Sequence, residues 1–189
     1  MKAQQTFEQL LVTHCAPTLA GLKMASLFSF EYGEEQQLAD VCCFWKTQME
    51  EKGLTLEILR KSQRKVLIYV YWTKQLEHLL MEEQVGHILR KCGYEKLDKS
   101  HALGILKERM RESECFPHEI GLFLGYPLPD VIGFIENQGK NCCLCGYWKV
   151  YCNEYQARQT FEQYTRCRRL YQRLFMEGTP ILQLIGAAS

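Results

Sequence analysis

The first segment with side chains suited to chemistry runs from His14 to Lys23. Pro17 is typical of the first turn of a helix, so the sequence predicts a helix that begins there. A helix dipole stabilises a thiolate near the helix N-terminus, which makes Cys15 a candidate nucleophile or redox thiol. His14, Thr18 and Lys23 are candidate ligand-binding residues, because the amides of such a turn bind anions. The alternative is a buried structural cysteine before a helix that Thr18 caps.

The second segment contains His118 and Glu119, which directly follow Pro117. We predict a short helix that opens at Pro117 and holds both side chains in its first turn. A carboxylate complements the dipole there and the proton affinity of an imidazole falls, so the pair suits acid–base chemistry. If the protein is an enzyme, which the sequence leaves open, the expected catalytic residues are Cys15, His118 and Glu119. The alternative is a favourable charge at a helix start beside a hydrogen-bonded histidine.

The same region also has the spacing of a helix-turn-helix motif. Gly121, Gly125 and Val131 would let two helices approach, turn and lock together. The second helix, over 130–137, is acidic and apolar, and it lacks the side chains that contact bases and phosphates. We therefore predict a packed helical hairpin over 117–137. Nucleic-acid binding is a weaker alternative, since the net charge of +1 gives no general attraction to phosphates.

The chain has ten cysteines. Cys142 and Cys145 have the spacing of half a zinc site, but no second pair follows at a diagnostic distance, so no metal site is predicted. The N-terminal residues lack the apolar segment of an export signal, and no apolar stretch is long enough to span a membrane. We therefore expect a cytoplasmic protein with reduced thiols, no membrane partner and an undetermined cofactor.

Aromatic residues are a further group of candidates. Tyr126, Tyr147 and Trp148 are candidate ligand-binding residues, because rings on a common face can stack on a flat ligand. Packing in the core is the alternative use of these rings. The basic run of Arg166 to Arg173 is interpreted as a solvated helix face.

The strands that position these residues are predicted from short apolar runs. Leu54–Leu59 and Val66–Trp72 flank a charged turn and predict a hairpin, whose second strand is apolar throughout and therefore central in a sheet. Two further strands are predicted at Ser26–Phe30 and Tyr147–Tyr151. Helical patterns elsewhere cover 34–52, 74–91, 100–112, 117–137 and the segment that follows Asn153. Asn153 and Gln156, three residues apart, resemble a capping box at the start of this last helix.

Strands that pair locally among several helices define an α+β fold class. We expect a small, mostly antiparallel sheet of three or four strands packed with several helices, including the helical hairpin at 117–137. The expected organisation is a single domain over 1–189, with a loosely held C-terminal tail from about Gly178.

Four sequence blocks carry a family resemblance. These blocks are His14–Lys23, Val66–Tyr71, Pro117–Pro127 and Gly146–Tyr151. They resemble an uncharacterised domain-of-unknown-function family of clostridia and related anaerobic Firmicutes, over nearly the whole chain. The resemblance implies no established activity. It implies a redox or iron context, because members are associated with flavodoxin and iron-uptake genes.

The leading functional hypothesis is a cytoplasmic protein that binds a small molecule, a metal or a redox partner. Its site would combine Cys15 and His14 with His118 and Glu119, and Lys23 would lie near an anionic group of the ligand. The chemistry of this site would depend on the Cys15 thiol. The alternative is a non-catalytic interaction module that presents the helical hairpin and the aromatic residues of the sheet to a protein partner. A helix-turn-helix-like nucleic-acid binder is the weaker alternative.

Overall fold

The computed structural model describes residues 2–112 and 115–186, with side chains from Phe7 onward. Its helices are α1 Lys2–Leu19, α2 Glu35–Glu50, α3 Thr73–Met81, α4 Glu83–Lys91, α5 Lys99–Glu112, α6 Ile120–Phe123, α7 Leu128–Glu136, α8 Glu154–Met176 and α9 Ile181–Leu184. Its strands are β1 Ala25–Glu31, β2 Leu54–Ser62, β3 Lys65–Trp72, β4 Leu144–Cys145 and β5 Lys149–Val150. The α+β class is confirmed.

The chain divides into two units. The first unit comprises Met1–Gln75 and Arg166–Ser189, and the second comprises Leu76–Thr165. The single-domain organisation over 1–189 stays a prediction. In the part of the chain that the structure describes, no helix is long and apolar enough to cross a membrane.

The sheet of the first unit is antiparallel, with strand order β1-β3-β2. The predicted hairpin is confirmed, since β2 pairs with β3 from Leu54 opposite Trp72 to Ser62 opposite Lys65. β3 is the central strand, and its residues between Lys65 and Trp72 are all buried. A strand with both faces covered has apolar residues at successive positions, which is the pattern in this sequence.

One face of this sheet packs on α1 and α2. Val66, Ile68 and Val70 of β3 belong to the core cluster, as do Leu11 of α1 and Trp45 of α2. Alternate side chains of a strand point to one face, so the two-residue spacing of these β3 residues assigns them to the helix-covered face. Burial of one such side chain stabilises the fold by about 1.5–3 kcal/mol.

The C-terminal segment is fixed to the first unit. Ile181, Leu184 and Ile185 lie in its core cluster. The hydroxyl of Tyr171 donates to the Leu184 carbonyl at 2.8 Å, and the Gly186 amide donates to the Leu19 carbonyl at 2.8 Å. The tail predicted to be loosely held from Gly178 therefore contributes buried apolar side chains through Ile185.

The end of α1 corrects the helix predicted to begin at Pro17. That residue lies inside α1, which continues to Leu19. Gly21 follows with a positive φ of 79°, and its amide donates to the Thr18 carbonyl while the Leu22 amide donates to the Pro17 carbonyl. These two hydrogen bonds form a Schellman motif, which ends a helix. The prediction of a helix start was wrong because Pro17 lies in the last turns of a helix that Gly21 terminates.

The second unit contains α6, α7 and a short antiparallel pair of β4 and β5. α6 packs on α7, in agreement with the predicted helical hairpin, although α6 has only 4 residues. The strand predicted over 147–151 is shorter and covers Lys149–Val150. The helix predicted over 74–91 is interrupted at Glu82, whose ψ of 125° is extended.

The start of α8 follows the predicted capping pattern. The Gln156 amide donates to the Asn153 side-chain oxygen at 3.2 Å. The side chain of Asn153 in turn donates to the side-chain oxygen of Gln156 at 2.9 Å. An oxygen that accepts from a first-turn amide satisfies a backbone donor that the helix leaves unpaired.

Candidate functional site

Cys15 lies in the interior of the first unit. It is 0% exposed, and burial raises the pKa of its thiol to about 12 although Lys23 opposes that rise. Its position near the C-terminal end of α1 also reverses the dipole argument, because a helix C-terminus disfavours a negative charge. Cys15 is therefore a protonated, apolar core residue at neutral pH.

The other predicted residues of this segment also have structural partners. Thr18 is buried, and its hydroxyl hydrogen-bonds with the Ser26 hydroxyl at 2.8 Å. The indole of Trp72 donates to the Thr18 carbonyl at 2.7 Å. The exposed His14 ring stacks on Phe28 with centroids 6.2 Å apart. Burial lowers the pKa of the half-buried Lys23 to about 8, and Cys15 opposes that shift.

The second unit contains a cavity of about 230 Å³, which we call the apolar pocket. Three aromatic side chains, Tyr126, Phe134 and Trp148, are among the residues that line it. The remaining lining residues are His118, Ile120, Gly121, Asp130, Val131 and Lys149. The structure thus brings together three of the residues predicted from the sequence, namely His118, Tyr126 and Trp148.

Asp130 holds one wall of the apolar pocket in place. Its carboxylate is buried and accepts from the Trp148 indole at 2.7 Å. It also accepts from the backbone amides of Tyr151 at 2.8 Å and Cys152 at 3.0 Å. A buried carboxylate needs several donors to offset its lost hydration, and these supply them. Asp130 therefore fixes the Trp148 ring rather than offering an empty acceptor to a ligand.

Close packing of α6 on α7 sets a second wall. A Cβ atom at Gly121 would lie 2.9 Å from Val131 Cγ2 and 3.2 Å from Tyr126 Cδ2. Glycine is therefore the residue that lets the two helices approach this closely. The Tyr126 ring stacks on Trp148 at 5.4 Å between centroids. The aromatic walls are consequently held by packing and hydrogen bonds from within the unit.

His118 and Glu119 face different surroundings although they are adjacent. The exposed His118 ring makes an edge contact with Phe134, with centroids 5.3 Å apart. Glu119 is 1% exposed and accepts from the Tyr94 hydroxyl at 3.0 Å and from Arg109 Nε at 2.5 Å. α6 begins only at Ile120, so the prediction that both residues lie in the first helical turn was wrong. The predicted acid–base pair therefore has no shared hydrogen bond among the described residues.

A second cavity of about 400 Å³, the polar cleft, borders the same histidine. Its lining includes Arg109 and Glu119 together with Cys92 and Cys115. The ion pair between Arg109 and Glu119 is bidentate, with a second contact from Nη2 at 3.4 Å. The Glu119 carboxylate is thus engaged by a guanidinium and a phenol, which is the arrangement of a structural ion pair.

Tyr147 has a different role from its neighbour Trp148. Its ring contacts Phe161 at 5.6 Å and Tyr164 at 5.2 Å between centroids. Its hydroxyl hydrogen-bonds with the Thr165 hydroxyl at 3.3 Å. These contacts pack Tyr147 against α8, outside the lining of the apolar pocket.

The whole of this geometry lies in a region matched by one family model. That model is described as Protein of unknown function (DUF3793), and it matches residues 11–185. The chain belongs to this family. No curated protein and no solved structure matches the chain. The DUF3793 match includes both the Cys15 segment and every residue that lines the apolar pocket.

Within this DUF3793 chain, the cysteines are free thiols. Cys143 donates to the Val150 carbonyl at 3.1 Å, and Cys152 donates to Asp130 at 3.4 Å. Among residues 2–112 and 115–186, no three His, Cys, Asp or Glu side chains are placed to hold a metal ion.

Sequence reasoning did not assign six of the nine residues that line the apolar pocket to a binding site, and these include Asp130, Phe134 and Lys149. Phe134 and Asp130 were assigned only to the second helix of the predicted hairpin. Lys149 interrupts an aromatic run. A single lysine between buried neighbours was the sequence feature that could have indicated a binding residue at this position. Which side chains share a cavity depends on how α7 meets β5, and the sequence pattern contains no information on that contact.

Proposed function

We propose that this protein binds a small, largely apolar molecule in the apolar pocket of the second unit. The observation that carries the proposal is the pocket itself, a cavity of about 230 Å³ whose lining includes three aromatic rings. Small-molecule sites are commonly concave and apolar, with a few polar groups that orient the ligand. The volume lies below the range of about 300–1,000 Å³ that is usual for such sites, which favours a ligand of about one ring.

His118 supplies a polar group at this site. Its imidazole contacts Phe134, and among the described residues it has no hydrogen-bond partner. An imidazole in this position can donate or accept a hydrogen bond at the edge of a bound ligand. Catalytic use of His118 as a proton carrier is the enzymatic form of the same hypothesis. Cys15 and Glu119 are not needed for ligand binding in this proposal.

The proposed setting is the cytoplasm of an anaerobic Firmicute, in a redox or iron context, with a small molecule or a redox protein as the partner. The ten free thiols support this setting, because disulfides are rare in reducing compartments. The family resemblance of the sequence blocks is the basis for the anaerobic and redox parts of the proposal.

The direct test is purification without oxygen, followed by native mass spectrometry and screening of one-ring compounds by ligand-observed NMR. Ile120→Phe adds bulk at the pocket wall and is expected to abolish binding. Ile105→Phe is the matched control, since Ile105 is also half-buried but lies on α5 outside the pocket lining. A wild-type protein that binds no such compound, or equal binding by both variants and wild type, contradicts the proposal.

The alternative function is a non-catalytic interaction module that presents the 117–137 segment. Phe116, directly before this segment, is 45% exposed, and an exposed aromatic side chain favours contact with a protein partner. Failure of every one-ring compound to bind would favour this alternative. Loss of protein–protein capture on Phe116→Ser, with unchanged folding, would then support it.

A further inference from the structure

Lys149 is the cationic side chain in the wall of the apolar pocket. Its Nζ donates to the Gly139 carbonyl at 2.7 Å and lies 5.9 Å from the centroid of the Phe134 ring. An ammonium group has three N–H donors. Gly139 is the acceptor that Lys149 contacts within the described residues. The ammonium therefore keeps donors for a further acceptor beside a ring that walls the pocket.

The turn whose Gly139 carbonyl accepts the hydrogen bond from Lys149 has an unusual backbone. Gln138 and Gly139 have positive φ values of 51° and 72°. A Cβ atom on Gly139 would lie 3.1 Å from the Phe134 ring and 3.7 Å from Lys149 Nζ. Left-handed conformations are costly for non-glycine residues, and such strain concentrates at ligand sites. The turn places the Gly139 carbonyl where it fixes the ammonium next to Phe134.

The other polar side chains of the pocket determine the sign of the charge that a ligand can carry. His118 contacts the Phe134 ring that Lys149 also approaches, so two side chains capable of hydrogen bonding lie beside one residue of the pocket lining. The carboxylate of Asp130 is engaged by Trp148 and two backbone amides. A cationic ligand would have to displace those donors and would also be repelled by Lys149.

We infer that the apolar pocket binds small aromatic carboxylates, an inference that rests on the proposed function and names its ligand class. The ligand ring lies among Tyr126, Phe134 and Trp148, and its carboxylate accepts from Lys149 Nζ, with His118 as a second donor. A cavity of about 150 Å³ accommodates benzene. The volume of about 230 Å³ is therefore sufficient for one ring and a carboxylate.

The experiment uses three probes of equal size and different charge, namely benzoate, benzamide and benzamidine. Binding to the full chain is measured by ligand-observed NMR and calorimetry. Benzoate is expected to bind with a Kd on the order of 1 mM, as suits a fragment of this size. Benzamide is expected to bind about 10-fold more weakly, because it loses a charge-assisted hydrogen bond. Benzamidine is expected to bind most weakly.

Substitutions then test the role of Lys149. Lys149→Met is expected to weaken benzoate binding about 10-fold while benzamide binding stays within about 2-fold, so that the preference disappears. Lys149→Arg retains the charge and is expected to retain the preference. Lys140→Met is the matched control, because Lys140 is an exposed lysine next to Gly139 and lies outside the pocket lining. Circular dichroism and urea unfolding establish that each variant is folded.

The outcomes separate the two proposals. If none of the probes binds to the wild type, both the pocket proposal and the carboxylate inference fail. If benzamide or benzamidine binds as tightly as benzoate, the pocket proposal stands and the carboxylate inference is overturned. A benzoate preference that persists in Lys149→Met also overturns it.

Discussion

Cys15 in the first unit and His118 in the second were the strongest chemical candidates in the sequence, and they occupy opposite kinds of environment. Cys15 is 0% exposed in a core cluster, and its thiol pKa is raised to about 12 by burial. His118 is exposed and borders both the apolar pocket and the polar cleft. A reactive group needs access to a ligand as well as suitable chemistry. The difference favours the second unit as the binding region.

The largest expected effect concerns thiol accessibility. In the folded protein, Cys15 is expected to react with iodoacetamide at least about 1,000-fold more slowly than exposed Cys43, because alkylation of a core thiol requires opening of the structure. Peptide mass spectrometry over a time course at pH 8 measures both rates. In denaturing urea the two rates should converge. Comparable rates in the folded protein would contradict the assignment of Cys15 to a closed core.

The second prediction tests whether Asp130 holds the wall of the apolar pocket. Asp130→Ala removes the acceptor of three N–H groups and is expected to lower the free energy of unfolding by about 3 kcal/mol. Urea unfolding measures the change. Asp40→Ala is the control, because Asp40 is an exposed carboxylate on α2 and its loss should change stability by less than about 0.5 kcal/mol. Equal changes in stability for the two variants would show that Asp130 does not hold the pocket wall in place.

The third prediction tests the close contact of α6 with α7. Gly121→Ala is expected to destabilise the fold by about 1–3 kcal/mol, because its methyl group would overlap Val131 and Tyr126. Gly104→Ala on α5 meets no atom within 4 Å and is expected to stabilise the fold by up to about 1 kcal/mol. Thermal and urea unfolding compare the two variants. A neutral Gly121→Ala would show that the pocket wall is loosely packed.

The smallest expected effect is a pH dependence of the first unit. The folded-state pKa of Cys15 is raised to about 12, so the folded chain retains this proton while the unfolded chain loses it above about pH 9. Stability from this group is complete below that pH and is lost as the pH rises toward 12. The stability advantage of wild type over Cys15→Ala should therefore shrink by about 1 kcal/mol per pH unit between pH 9 and 10.5.

The matched measurement is urea unfolding of both proteins across this pH range. The comparison removes the contributions of the other buried thiols and phenols, which are present in both chains. The contribution of Lys23 to the pH dependence of stability has the opposite sign. Its pKa is lowered to about 8, so the cost of burying its charge is relieved as the pH rises. A constant difference between wild type and Cys15→Ala would contradict the raised thiol pKa.

Local sequence patterns predicted most of the strands and several helix ends. The β2–β3 hairpin followed from two apolar runs around a charged turn, and the central position of β3 followed from its uninterrupted apolar sequence. Asn153 and Gln156 predicted the start of α8. These features depend on neighbouring residues, so their signals lie within a few positions of one another.

Prediction failed where one local signal had two interpretations. Pro17 is compatible with the start of a helix, but the chain carries it near the end of α1, where Gly21 terminates the helix. The position of Cys15 relative to the helix dipole was reversed by this error. A proline alone does not distinguish the two cases, and Gly21 was the sequence signal that could have corrected it.

By itself, the sequence determined the α+β class, the family blocks and the residues whose side chains are capable of catalysis or binding, because periodicity and residue type are local properties. Only the tertiary structure decided which of those residues lie beside a cavity. It buried Cys15, paired Glu119 with Arg109, and brought His118 and Lys149 to the same Phe134 ring. Such groupings result from packing between segments distant in sequence, and burial then decides the charge and accessibility of each group.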